Sequence, residues 1–111
     1  MLNQKNRSLR VALGGALLGI TLHAGAAEPS PLFIRSCAGC HGPDGRADTK
    51  MGRYLGVKDL TQSKLSEADI EQAIRHGVAT ADGRRRMPAF EESLSAEDIK
   101  ALAAVVKALQ K

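Results

Sequence analysis

Cys37-Ala38-Gly39-Cys40-His41 decides how this sequence is read. Two thiols and an imidazole stand at i, i+3 and i+4, so a helix end running through them presents all three on one face. That trio suits the attachment of a c-type haem, in which the two cysteine sulfurs bond the vinyl groups and the adjacent histidine ligates iron from one side. The small residues Ala38 and Gly39 let a porphyrin edge lie close. A bare Cys-x-x-Cys pair has other uses, namely a thiol-disulfide redox pair, half of a zinc site, or a structural disulfide. A redox pair of the thioredoxin kind calls for a preceding strand and a βαβ pattern; Pro88 could imitate the proline that faces such a site, yet no strand pattern precedes it. A zinc site calls for a second Cys or His pair. A disulfide between Cys37 and Cys40 would close too small a loop to constrain the unfolded chain much.

On the N-terminal side, Lys5, Arg7 and Arg10 precede an apolar run at 11–22 that ends in small residues at Ala24-Gly25-Ala26-Ala27. This is the pattern of a secretory leader. The run is about a dozen residues, short of the roughly 20 that a membrane-spanning helix needs. A signal peptide is therefore expected over residues 1–27, cleaved after Ala26 or Ala27 and taking His23 with it. One domain over residues 28–111 would remain, exported to the periplasm, which agrees with haem attachment outside the cytoplasm. The leader also accounts for the charge. The 111 residues carry 16 basic and 12 acidic side chains, and setting aside the three basic residues of the leader leaves 13 against 12. Net charge then gives no reason to expect nucleic acid as a partner, and one tyrosine with two phenylalanines leaves little for stacking on bases or sugars. A domain of about 84 residues builds a small core and needs a further staple. Without haem, the mature chain is expected to be largely unfolded.

On the C-terminal side, helical signals alternate with glycine-rich punctuation, and no run of β-branched residues alternates with polar ones. The fold class is all-α. The first helix is expected to take Ser30 as N-cap and Pro31 at its first position, to carry Leu32, Phe33 and Ile34 toward Cys37, and to end at Gly42-Pro43-Asp44-Gly45. The stretch 46–63, with Gly52 and Gly56, reads as an irregular loop with room for one short helix. Its apolar residues Met51, Tyr54, Leu55, Val57 and Leu60 are expected to face something buried. Two later helices open on related phrases, Leu65-Ser66-Glu67-Ala68-Asp69-Ile70 and Leu94-Ser95-Ala96-Glu97-Asp98-Ile99. In each, serine caps, an acidic residue follows three positions later, and leucine before the cap can staple onto isoleucine. The first is expected to stop at Gly77 after an apolar face of Ile70, Ala73 and Ile74. The second carries Ile99, Leu102, Ala103, Val106 and Leu109 on one stripe, the spacing of a core face. Between them, 80–94 holds Gly83, Arg84-Arg85-Arg86 and Met87-Pro88-Ala89-Phe90 in a loop.

A haem that shuttles electrons with little rearrangement takes a second axial ligand, and the candidates are Met87, Met51, His76 and the lysines. To reach the other haem face the chain must wrap round the ring, which favours a late loop residue ahead of the final helix. Met87 meets that description, and Pro88 restricts its backbone toward an extended conformation. Met51, ten residues from His41, is expected to pack against the ring. His76 falls in the last turn before Gly77, where an imidazolium gains from the helix dipole.

The chain resembles the class I cytochrome c family, especially small bacterial monohaem domains. The resemblance spans about residues 30–110 and is carried by Phe33 ahead of Cys37, Cys37-Ala38-Gly39-Cys40-His41-Gly42, Asp59-Leu60-Thr61, the helix through Ile74 and Gly77, Met87-Pro88-Ala89-Phe90 and the closing helix. It implies three to four helices around one covalently attached haem c, Phe33 meeting Leu102 where the first and last helices cross, and His41 and Met87 as the iron ligands. Two features depart from the family pattern. Relatives often place a proline in a Gly-Pro-x-Leu loop whose carbonyl accepts the proximal histidine's Nδ1 proton; here the loop reads Gly52-Arg53-Tyr54-Leu55, and one of its carbonyls is expected to serve instead. Relatives also often carry an aromatic where this chain has Val105 or Val106.

The resemblance and the ligand set imply an electron carrier, cycling Fe(III)/Fe(II), and not an enzyme, although it could be the electron-accepting subunit of a larger oxidoreductase. Its expected partners are donor and acceptor redox proteins that dock weakly and briefly, with membrane contact only through them, and the protein is expected to be a monomer. The competing readings are a gas-binding or sensor module in which Met87 is displaced by a diatomic ligand, and a thiol-disulfide oxidoreductase using Cys37 and Cys40. Arg84, Arg85 and Arg86 form the one basic cluster of the mature sequence, placed either to pair with a haem propionate or to steer acidic partners.

Overall fold

Ser30 accepts a hydrogen bond from the Phe33 backbone N–H and Pro31 occupies the first helical position, so the chain enters its first helix, α1 (Pro31–Ser36), as the sequence dictates. The structure is a computed structural model that describes residues 30–111 and, before them, only 12, 14–16 and 19. The cleavage points at Ala26 and Ala27 and the imidazole of His23 lie outside the described residues. Among the described residues no helix is long and apolar enough to cross a membrane.

Cys37 breaks the helix register at φ −125° and the chain resumes as α2 (Ala38–His41), stopped by Gly42 at φ +76°. The stretch read as irregular contains a helix with its own caps. Thr49 accepts from the Gly52 N–H to open α3 (Lys50–Leu55), and Gly56 closes it in the left-handed region at φ +66°. A single 3₁₀ turn follows at Leu60–Gln62. Ser66 and Ser95 cap α4 (Glu67–His76) and α5 (Ala96–Leu109), accepting from the N–H groups of Asp69 and Asp98.

The segment between α4 and α5 is not wholly loop. Val78–Ala79 (β1) and Arg85–Met87 (β2) form a two-stranded antiparallel ribbon, Val78 opposite Met87 and Ala79 opposite Arg85, with an irregularity between. Among the described residues, mostly helical elements are thus joined by one short hairpin, too brief for any alternation of residue types to announce it.

The core lies where α4 and α5 pack together and α1 crosses α5. Phe33, Ile70, Ile74, Ile99, Leu102, Ala103 and Val106 form one buried cluster, in which Phe33 and Leu102 are 2% and 1% exposed. Val105 only borders it. At the far end of α5 the backbone N–H of Lys111 donates to the Thr61 carbonyl, and the side chains of Lys107 and Gln110 donate to the Leu65 carbonyl. These bonds tie the C-terminal helix to the 61–65 segment.

Candidate haem site

A cavity of about 950 Å³ opens between two stretches of chain, at the upper end of the roughly 300–1,000 Å³ usual for small-molecule and cofactor sites. Residues between 35 and 63, together with Leu65, supply one part of its lining, and residues between 70 and 106 supply the rest. Cys37, Cys40 and His41 come from the first stretch and Met87 and Pro88 from the second, so one cavity gathers the motif and the late methionine. Leu55, Val57, Leu60, Ile74 and Phe90 make much of the surface between them apolar.

The turn carrying the motif is fixed from below by α3. The Thr49 hydroxyl donates to the Cys40 carbonyl at 2.8 Å while accepting from the Gly52 N–H, also at 2.8 Å. A Cβ on Gly52 would lie 2.5 Å from the Cys40 carbonyl and 2.6 Å from that of Ala47, so only glycine permits this approach. The Ala47 N–H donates to the His41 carbonyl at 2.8 Å, completing the loop that holds the imidazole.

The chemistry of the three motif side chains is set by burial. Both cysteines are free and half-buried. Burial pushes the Cys37 thiol up to about 11, the reverse of the lowered values that activate redox cysteines. Among the described residues no group of three or more His, Cys, Asp or Glu side chains gathers as a metal cluster, so the pair has no zinc-ligating companions there. Burial also lowers the pKa of His41, which keeps the imidazole neutral with a lone pair to give a metal. Its Nδ1 is sealed from solvent and has no hydrogen-bond partner among the described residues.

That orphaned nitrogen corrects the expectation that a carbonyl of 52–55 accepts its proton. The stretch is helical, and the carbonyls of Gly52 and Arg53 accept from the backbone N–H groups of Val57 and Gly56 instead. Met51 is corrected as well. It is 47% exposed and does not line the cavity, because it shares the outer face of α3 with Tyr54, which is 83% exposed. Leu55, Val57 and Leu60 do line it, as expected of that stretch. His76 lies outside the cavity at the end of α4, its Nδ1 3.7 Å from a Glu91 carboxylate oxygen.

Met87 is held by its neighbours. The β1–β2 ribbon fixes its backbone, and Gly77 packs so closely that a Cβ there would lie 2.5 Å from the Met87 carbonyl oxygen. On the far side of Pro88, the Phe90 N–H donates to the Ile74 carbonyl at 3.0 Å and the Glu91 N–H to that of Arg75 at 3.3 Å. The sequence showed Gly77 as a helix stop but gave no sign of its contact with the methionine loop. Thr49 was missed altogether, although a Thr three residues before a glycine is a readable cap. Two thiols, a neutral imidazole, a thioether and an apolar cavity of this size fit a c-type haem.

Residues 24–105 match the family model described as cytochrome c oxidase, cbb3-type, subunit III. The chain belongs to the class I c-type cytochromes. This cytochrome is 32% identical over 88 residues to cytochrome c6 of Anabaena variabilis, covering 75% of this chain and 90% of that one. It is 31% identical over 84 residues to the cbb3-type cytochrome c oxidase subunit FixP of Bradyrhizobium diazoefficiens; the match covers 76% of this chain but only 27% of FixP, so the cytochrome spans about a quarter of that relative. Among solved structures it is similar to the c-type cytochrome KustC0563, with a TM-score of 0.61, 33% identity, and 72% and 94% of the two chains covered. It thereby belongs to a family whose members bind haem covalently and whose curated relatives carry electrons.

Proposed function

We propose that this cytochrome is an exported monohaem electron carrier in which Cys37 and Cys40 bond one haem and His41 and Met87 are the two iron ligands. The observation supporting this most strongly is that all four side chains line one cavity although they come from two distant stretches of sequence. When bound, the haem supplies the one-electron iron couple that a polypeptide lacks. The chain's own residues then tune and protect it. Met87 offers a thioether, which favours the ferrous state and raises the potential. Leu60, Ile74 and Phe90 keep water from the ring, which acts in the same direction. His41, neutral through burial, gives its lone pair without first losing a proton.

The carrier works from the periplasm as a monomer, exported by the leader at residues 1–27 and docking weakly and briefly on donor and acceptor redox proteins. The high pKa of Cys37 weighs against the thiol-disulfide reading.

The test is to export the protein in cells able to attach c-type haem and to record its oxidised and reduced spectra. Haem that resists acid-acetone extraction, together with a weak far-red methionine-to-ferric-iron band, is the expected result. Met87→Ala should keep the haem and lose the band, and carbon monoxide should shift the wild-type ferrous spectrum little. Attached haem without the band would remove Met87 as the ferric ligand, a prompt carbon monoxide shift would favour the gas-binding reading, and absence of attached haem would return the thiol reading.

A further inference from the structure

The three consecutive arginines beside Met87 do not share one environment. Arg84 is paired with Asp82, Nε to Oδ2 at 2.8 Å. Arg85 donates from Nη1 to the His76 carbonyl at 3.4 Å. Arg86 makes no ion pair among the described residues, and it alone of the three lines the haem cavity. Its Nη1 reaches across to the turn at Gly56, lying 3.9 Å from where a Cβ would stand there. That turn leads into Lys58 and Asp59, which also line the cavity. The Asp59 carboxylate is taken up by Thr61, whose backbone N–H and hydroxyl both donate to it. This rim of a mostly apolar cavity, which Arg35 and Lys58 also line, therefore presents at Arg86 a guanidinium with no carboxylate partner among the described residues.

A haem carries two carboxylates on an apolar ring, and this rim matches one of them. We infer that Arg86 is a carboxylate clamp, its guanidinium pairing with a haem propionate and fixing how the ring seats beside Met87. The inference rests on the ligation proposed above. A guanidinium meets a carboxylate with two parallel N–H donors, a geometry lysine cannot reproduce. Arg84 and Arg85, already engaged, are left to the surface. Arg86 is a positioning residue here. It touches the carboxylate end of the cofactor, holds that carboxylate ionised, and sets a fixed positive charge near the iron.

The sign of the effect follows. An adjacent cation lowers a carboxylic acid's pKa by about 1–3 units, and Arg86 is exposed, so the lower end of that range applies. When the clamp is lost, the propionate takes up a proton at higher pH. The ferrous state binds that proton more tightly than the ferric state, because it carries less positive charge. The potential then falls as pH rises through the shifted step.

The experiment is a potentiometric titration of the haem-loaded wild type, Arg86→Gln and Arg86→Lys over about pH 5 to 9, with the far-red band recorded throughout. The expected result is that the pH-dependent step in Arg86→Gln moves upward by about one unit, a tenfold change in proton affinity. In Arg86→Lys it should move by less, with the band intact in both. Superimposable profiles in the three proteins would overturn the inference while leaving the ligation reading in place. So would a change confined to the salt dependence of electron transfer to an acidic partner, which would make Arg86 a steering residue. A wild type that attaches no haem would overturn both readings.

Discussion

Replacing Gly77 with alanine tests how Met87 is held. Gly77 ends α4 at φ +74° and ψ −179°, a region open essentially to glycine alone, where another residue costs about 1–3 kcal/mol. The added Cβ would also stand 2.5 Å from the Met87 carbonyl oxygen and 2.9 Å from the Ala89 nitrogen and the Pro88 carbonyl carbon, all backbone atoms. To restore ordinary contact at 3.4 Å, the Met87 carbonyl must recede by about 0.9 Å. The loop cannot slide away as one piece, because Phe90 and Glu91 remain bonded to the carbonyls of Ile74 and Arg75. The displacement falls on Met87 itself. Overpacking of this kind adds about 1–3 kcal/mol, so the total is about 2–6 kcal/mol. At about 4–8 °C of melting temperature per kcal/mol for a domain of this size, the loss is at least about 8 °C. Gly83→Ala is the control. Gly83 also has positive φ, +81°, but nothing lies within 4 Å of an added Cβ, so only the conformational cost of about 1–2 kcal/mol applies. Thermal unfolding of the haem-loaded proteins by circular dichroism, with the far-red methionine band followed in parallel, separates the two. Gly77→Ala should melt well below Gly83→Ala and lose part or all of the band. Equal melting temperatures with an intact band in Gly77→Ala would refute the packing argument.

Three further outcomes are expected. Thr49→Val removes the α3 cap and the donor to the Cys40 carbonyl together, and should cost about 1–3 kcal/mol in urea unfolding while Thr49→Ser costs little; equal losses in the two variants would sink the assignment. The hydrogen bond from the Thr61 hydroxyl, with the Thr61 backbone N–H adding to it, holds Asp59 below the usual carboxylate range. A group lowered on folding contributes stability above its unfolded pKa and loses it as pH falls through its folded one. Asp59→Asn should therefore flatten the acid limb of the stability profile, and an unchanged slope below about pH 4 would count against this. Finally, the Cys37→Ala, Cys40→Ala chain, unable to attach haem, should give the circular dichroism of a largely unfolded chain, since a small core around a large empty cavity cannot offset chain entropy; a native-like helical spectrum would contradict it.

What was legible in the sequence was local chemistry. Ser30 with Pro31, Ser66 with Asp69 and Ser95 with Asp98 are caps made within four residues, and each forms as read. The stripe on α5 buries Ile99, Leu102, Ala103 and Val106 as its spacing requires. The motif and Met87 line one cavity, and a methionine in a late loop, followed by Pro88, is a position the sequence already marks. What stayed hidden depends on distant partners. Two glycines and scattered apolar residues disguised α3, and only its packing on the Cys40 carbonyl explains why Gly52 sits mid-helix. With α3 formed, Met51 and Tyr54 turn outward and the loop carbonyls are engaged, which leaves His41 Nδ1 unpaired. The β1–β2 ribbon has too few residues to show a period.

The division of the cavity wall has a consequence for the order in which it is assembled. The part holding both thiols and the imidazole is contributed by residues 35–63 and Leu65, and the part holding the thioether by residues 70–106. A chain that emerges from its N-terminus presents the first part while more than 40 residues have still to appear. A group joined to Cys37 and Cys40 at that moment meets half a binding site, open along the side that Met87 later closes. Under the ligand set proposed above, capture at Cys37 and Cys40 would come first and ligation by Met87 last, with the trailing half of the polypeptide folding onto a guest already in place.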